Sequence, residues 1–277
     1  MSAAVKLSSP ATREFWEIPV LFEDEHLLAL DKPSGLLVSP DADHPERPSL
    51  MKLLHDGIAA GKPWASQRSL TYLNNVHRLD FETSGVLLFA KNKPALIALA
   101  NLFGAEIPVK KHLALAWGNP PAKNFTVDAR LAPHPTRPGQ MRVDLDHGKK
   151  AHTDFEVLEQ FSDWCLLHCL PLTERAHQIR VHLKHAGFVV VADELYGGKK
   201  LWLSRLKKDF HLKPGKEERP LISRTALHLE ELSLPHPVTD EPVTFKSAWP
   251  KDLKVAVKYL KQYATGFSQR GSKDTEF

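Results

Sequence analysis

Short apolar runs separated by turn-forming residues dominate the first half of the chain. From Trp16 the stretch "IPVLFEDEHLLALDKPSGLLVSP" reads as strand, turn, strand, turn, strand. Asp24-Glu25 marks the first turn and Pro33-Ser34-Gly35 the second. "SLMKLLHDGIAAG" has helical spacing, with Ser49 as its N-cap and Gly61 near its end. "GVLLFAK" is a continuous apolar run that reads as a buried strand. "KPALIALANLF" follows as a helix with Pro94 in its first turn and Leu96, Leu99, Leu102 and Phe103 on one side.

Further strands are predicted at "KKHLALAWG", "FTVDARLA", "MRVDL", "AHTDFEVLEQF" and "WCLLHCLPL". "RAHQIRVHLKHAG" reads as a helix ending at Gly187, followed by "FVVVAD". "TALHLEELSLPHP" and "EPVTFKSAWP" complete the strands. "KDLKVAVKYLKQYA" is an amphipathic helix with Leu253, Val257, Leu260 and Ala264 on one face. Many short strands with few helices argue for an α+β fold built on a mainly antiparallel, mixed central sheet. The expected organisation is a loose segment over residues 1–13, one catalytic domain over 14–264, and a polar tail over 265–277.

Composition adds bounds. The 277 residues are 42% apolar and 25% charged, the ordinary globular class. Lys and Arg outnumber Asp and Glu by 37 to 33, a mild excess compatible with a polyanion partner but not diagnostic of one. No apolar leader and no run of membrane-spanning length is visible. Cys165 and Cys169 sit in an apolar strand and read as buried thiols. A cytoplasmic location is expected. With no coiled-coil repeat or self-association strip, so is a monomer.

Two stretches carry candidate chemistry. "NNVHRLDFETSGVLLFAK" holds Asp80 between Arg78 and a Thr83-Ser84-Gly85 turn. A carboxylate is ionised at neutral pH, and it acts as a nucleophile only when positioned and partly shielded from water. An isolated Arg-x-Asp is more commonly a simple turn, and this stretch alone favours that. The second stretch, "LTERAHQIRVHLKHAGFVVVADELYG", carries Arg175, His177, Gln178, Arg180, His182 and His185. His177 and His182 are five apart and no HExxH is present, which argues against zinc. Ile179, Val181 and Leu183 interleave the polar residues, so several of these must point inward and need partners. An inward Arg180 demands a carboxylate, and Asp80 is a candidate.

Together these blocks resemble the RluA-type pseudouridine synthases. "HRLDFETSG" is similar to their HRLDxxTSG signature, and "RAHQIRVHL" with "VADELYG" resembles their second block. "VLFEDEHLLALDKPSGLLVSP" resembles their opening block, and "GKKAHTDFEVL" and "TALHLEELSLPHPVTDEPVTF" their later strands. The likeness runs in order over about residues 16 to 252. It implies a pseudouridine synthase fold with an active-site cleft, an RNA substrate (ribosomal or transfer RNA), and no cofactor. Asp80 is implied as the essential carboxylate. Its role stays open between attack on C1′, attack on C6 and promotion of proton loss from the ribose. Arg78 is implied to hold the space left by a flipped base or contact the backbone, Arg180 to pair with Asp80, His112 to face the base, and Leu227 to pack beside the site.

The chain departs from the family pattern at His112, where Tyr is usual, at Glu174, where Gly is usual, and at Phe81, where Lys is frequent. These changes imply an altered base pocket. An N-terminal S4 module is not expected, since only about 15 residues precede the first block. The main alternative is a catalytically weakened RNA-binding or ribosome-assembly module. A carboxylate-dependent hydrolase would want a second marked carboxylate. The basic segment 199–219, with Trp202 and Phe210 among its lysines, suits RNA contact or a solvated loop about equally.

Overall fold

A computed structural model describes residues 4–41 and 45–265; the polar tail expected from 265 onward lies almost wholly outside the described residues. In chain order the strands begin with β1 (Ala4–Ser9), β2 (Glu14–Glu23) and β3 (Leu27–Lys32). Helices α1 (Leu50–Ala59) and α2 (Pro63–Ser66) precede β4 (Asn74–Asn75) and β5 (Ser84–Ala90). Helix α3 (Lys93–Gly104) leads into β6 (Val109–Trp117), β7 (Asn124–Asp128), β8 (Leu131–Pro133) and β9 (Met141–Val143). Then come β10 (His152–Gln160), β11 (Trp164–Pro171), α4 (Gln178–His185) and β12 (Val189–Val190). Helix α5 (Leu203–Leu206), β13 (Leu227–Pro235), β14 (Pro242–Lys246) and α6 (Lys251–Tyr263) complete the order.

Twelve of these strands form one sheet with the path β1-β2-β3-β5-β13-β6-β11-β10-β7, while β4, β12 and β14 pair beside it and β8-β9 form a hairpin apart. All its pairings are antiparallel except β5 with β13, where Ser84 lies opposite His228 and Gly85 opposite Leu229. This is the expected α+β architecture. Two cores flank the sheet. One packs α1, α2 and α3 against β1, β2, β3 and β5. The other packs α4, α5 and α6 against β6, β10 and β11. Strand β13 feeds both, Leu227 into the second and Leu229 into the first. The site forms along this seam.

At the seam β5 and β13 approach closely. A Cβ at Gly85, whose φ is +120°, would lie 2.1 Å from the Leu229 carbonyl oxygen. Any side chain there must push backbone, because no flexible atom can yield. Gly85→Ala is therefore expected to destabilise by more than about 3 kcal/mol in urea unfolding. A loss under about 1 kcal/mol would show that the strands separate cheaply.

The structure changes three sequence expectations. Within the segment 1–13 expected to be loose, Ala4–Ser9 forms a strand. Ala4–Ser9 pairs with β2, and Val5 and Leu7 are buried beside Ile18 and Trp16. Two alternating apolar positions are too short a signal to stand out from a polar terminus. "GLLVSP" is not a third strand. Leu37 and Val38 turn their carbonyls to the first amides of α1, at Leu50 and Met51, and Leu37 makes a single bridge with Ser49. The predicted helix from Arg175 starts only at Gln178, because His177 takes a left-handed backbone (φ 54°) that no regular helix contains. Other expectations stand. Ser49 caps α1 through its side chain, and the predicted face of α6 is buried. No helix among the described residues is long and apolar enough to cross a membrane.

Candidate active site

Asp80 stands in the loop before β5, and several anchors define that loop. The Lys32 ammonium is wholly buried beneath it and donates to the carbonyls of Pro33 (2.8 Å), Phe81 (3.3 Å) and Thr83 (2.9 Å). Burial pushes its pKa down to about 7, against the pull of Asp80, with Arg224 adding to the lowering. The Gly35 amide also donates to Phe81 O, and Thr83 N closes the turn on Asp80 O (3.1 Å). On the far side Glu82 accepts from the amide and hydroxyl of Thr225. Lys32→Met would remove the ammonium donor from the Pro33, Phe81 and Thr83 carbonyls, of which Phe81 O keeps the Gly35 amide. It is expected to cost about 2–4 kcal/mol in urea unfolding, net of the relief from removing a buried cation. No measurable loss would show that the loop holds without it.

Arg180 projects from α4 into the seam. Its Nη1 donates to Asp80 Oδ2 at 3.0 Å, as expected. Its stronger partner is Asp193, which accepts from Nε and Nη2 at 2.7 Å each and is almost fully buried. Asp80 is thus only one of two carboxylates on Arg180. Burial opposes the Arg180 charge, but Asp193 first and Asp80 next outweigh it and raise its pKa. Asp193 is aimed by a tight turn in which Ala192 has φ +59° and Gly198 N donates to Asp193 O (2.7 Å). Asp193 and Tyr196 lie within the second motif block, whose pattern alone assigned neither a role. Tyr196 lies under the Arg180 guanidinium, 4.9 Å from its ring centroid. Its hydroxyl accepts from Met141 N and contacts His177 Nδ1 at 2.7 Å, which sets the His177 ring with Nε2 3.9 Å from Asp80 Oδ2.

The remaining inward polar residues of α4 are structural. Gln178 bonds Thr173, His152 and Thr153, and His182 bonds Thr153 Oγ1 and Ala129 O. His185 is exposed.

A cavity of about 600 Å³ opens over Asp80. Arg78, His112, Arg180 and Leu227 all line it, so the structure brings the five sequence-predicted residues together. Arg78 is exposed at the mouth, with no ion pair to Asp80 among the described residues; Arg180, not Arg78, neutralises that carboxylate. Glu174, one of the departures, forms an ion pair across the wall with the buried Lys110. The basic segment 199–219 contributes nothing to the cavity lining. Its Leu201 and Leu206 anchor it in the second core instead. Among the described residues the one cluster with metal-ligand spacing, Asp144, Asp146 and His147, also lies outside the cavity lining.

Four buried rings, His77, His112, His182 and His228, and the half-buried His177 have pKa values lowered below 6.5, in each case by burial first. His112 falls to about 3, with Lys110 and His228 adding to the effect of burial. Below pH 6.5 the unfolded chain increasingly binds these protons while the folded chain does not. Their contribution is therefore complete above pH 6.5 and is lost as pH falls toward the folded values. The expected slope is up to ~1.4 kcal/mol per pH unit for each ring that stays neutral. Melting scans should show Tm dropping steeply between pH 6.5 and 5. A flat Tm over that range would mean the rings charge in place.

Comparison with known proteins agrees with this geometry. The family model described as RNA pseudouridylate synthase matches residues 26–185. The chain is 36% identical to "Ribosomal large subunit pseudouridine synthase D" of Xanthomonas campestris over 88% of its length and 69% of that protein's. It is 32% identical to "Dual-specificity RNA pseudouridine synthase RluA" of Escherichia coli K12 over 85% of its length and 94% of that protein's. The solved structure titled "Human RNA Pseudouridylate Synthase Domain Containing 4" shares the fold, with a TM-score of 0.67 at 23% identity over 87% of this chain and 92% of that one. With its signature blocks converging on one cavity, the chain belongs to the RNA pseudouridylate synthase family and is an isomerase acting on RNA.

Proposed function

We propose that the enzyme converts uridines of ribosomal or transfer RNA to pseudouridine with Asp80 as the essential carboxylate, acting as a cytoplasmic monomer and without a cofactor. The carrying observation is the Asp80 carboxylate, partly open to the cavity and held by the buried Arg180. In the reaction the N1–C1′ bond breaks, the base turns, and a C5–C1′ bond forms. The C5 hydrogen leaves to solvent and N1 gains a proton.

A stacked base must leave the helix to reach such a cavity. The cavity volume falls in the range of small-ligand sites. Arg78 at the mouth is suited to the RNA backbone or to the gap left by the flipped base. Leu227 gives the site an apolar wall, and Arg180 orients Asp80 through its Nη1 bond. The name of the Xanthomonas relative, a ribosomal large subunit pseudouridine synthase, favours the ribosomal substrate over the transfer RNA one.

The test is release of tritium from RNA labelled at uridine C5. Wild-type enzyme, with no added metal or cofactor, should release tritium to water from bulk ribosomal or transfer RNA transcripts. Binding without release from any RNA would return the chain to a binding-only module.

A further inference from the structure

Five buried side-chain nitrogens lack a hydrogen-bond partner among the described residues. Three of them, His77 Nδ1, His112 Nδ1 and Arg175 Nε, belong to residues that line the one cavity over Asp80. Both histidines are more than nine-tenths buried. Orphaned polar atoms are uncommon in folded proteins and cost free energy. Their concentration here fits groups that a ligand completes.

The protonation pattern of His77 follows from its neighbours. Leu88 N donates to His77 Nε2 at 3.1 Å, so in the neutral ring the hydrogen sits on Nδ1. Burial, with Lys110 and His112 adding to it, keeps the ring neutral. His77 Nδ1–H is therefore a donor with no acceptor in good hydrogen-bond geometry, the Arg78 backbone giving it only a weak pull. Its plane is set by stacking on Phe103, with centroids 5.4 Å apart and planes 10° apart. His112 stands on β6, fixed from both sides by its pairings with Cys169 and Leu229. A neutral His112 offers one donor and one acceptor, and its Nδ1 is free to take either role. Two held rings thus present a donor and an acceptor in one wall.

We propose that His77 and His112 read the polar edge of the flipped base and select uracil over cytosine, an assignment that rests on the uridine isomerase reading. Uracil offers a carbonyl at C4 beside an N3–H. His77 Nδ1–H meets the carbonyl, and a His112 ring nitrogen accepts from N3–H. Cytosine reverses both groups. Its amino group would set donor against donor at His77, and its N3 would meet His112 only after that ring changes tautomer. A site built to hydrogen-bond its ligand rejects such an analogue far more strongly than an apolar pocket does.

The test begins with wild-type enzyme, used to map one target uridine by tritium release. RNA oligonucleotides are then made with uridine or cytidine at that position. Binding is measured by fluorescence anisotropy with the full chain carrying Asp80→Asn, which stops turnover. That protein should bind the uridine oligonucleotide at least 10-fold tighter than the cytidine one. Adding His77→Gln keeps an acceptor for Leu88 N but removes the Nδ1 donor, and the ratio should fall to within about twofold. His112→Phe, which keeps a ring of similar size, should do the same. His77→Asn restores a donor near the Nδ1 position and should recover part of the ratio. A purely structural role would weaken both oligonucleotides equally, so an unchanged ratio in both the Gln and Phe variants overturns the assignment. Failure of wild type to release tritium from any RNA would instead remove the isomerase reading, and the assignment with it.

Discussion

Asp80→Asn is expected to lower tritium release by at least ~10⁴-fold, the scale seen when an essential nucleophile is removed, while leaving the fold nearly unchanged. The geometry separates the two effects. The amide oxygen that this substitution introduces can still accept from Arg180 Nη1, and Arg180 keeps its two bonds to Asp193. The loop is fixed through its backbone carbonyls by Lys32 and through Glu82 by Thr225, not through the Asp80 side chain. With the carboxylate partly exposed, its loss should cost no more than about 1 kcal/mol of stability. RNA binding should not weaken, since a negative charge leaves a cavity that receives a polyanion. Turnover within tenfold of wild type would remove Asp80 from the chemistry. A large drop in Tm would make it a structural residue.

Asp193→Ala is expected to produce the second largest effect, a loss of about 3–5 kcal/mol in urea unfolding with the m-value unchanged. Arg180 is nearly buried and donates twice to Asp193 at 2.7 Å but once to Asp80 at 3.0 Å. Without Asp193, a buried guanidinium keeps one partner and leaves two donors unsatisfied. Turnover should also fall by more than about 100-fold at temperatures where the variant stays folded, because Arg180 no longer holds Asp80 from a fixed position. Asp193→Asn should fall between wild type and the Ala variant, since it keeps an acceptor but loses the charge. Stability within about 1 kcal/mol of wild type for Asp193→Ala would show that Asp80 and solvent suffice for Arg180.

Local chemistry fixed much of this protein in its sequence. Apolar alternation and turn residues located most of the sheet strands, because strand pleating and turn sterics act over a few residues. Ser49, Pro94 and the Leu253–Ala264 face were legible for the same reason: capping and amphipathic spacing are properties of single helices. Asp80, Arg78, His112, Arg180 and Leu227 were legible as a set through the motifs that carry them.

Tertiary structure decided which of these residues meet. Asp80 and Arg180 are one hundred positions apart and touch only because the β5–β13 seam brings two cores together. The division of Arg180 between Asp193 and Asp80 depends on a left-handed residue at Ala192, which the sequence does not announce. The start of α4 was decided by the strained His177, whose ring is held by Tyr196 from a later turn. Burial decided the state of Lys32 and of the histidines, since desolvation depends on everything packed around a group and not on its neighbours in the chain. Residue types and spacing thus supplied the site's components, while their partners, exposure and charge states came from contacts that close only when the whole sheet forms.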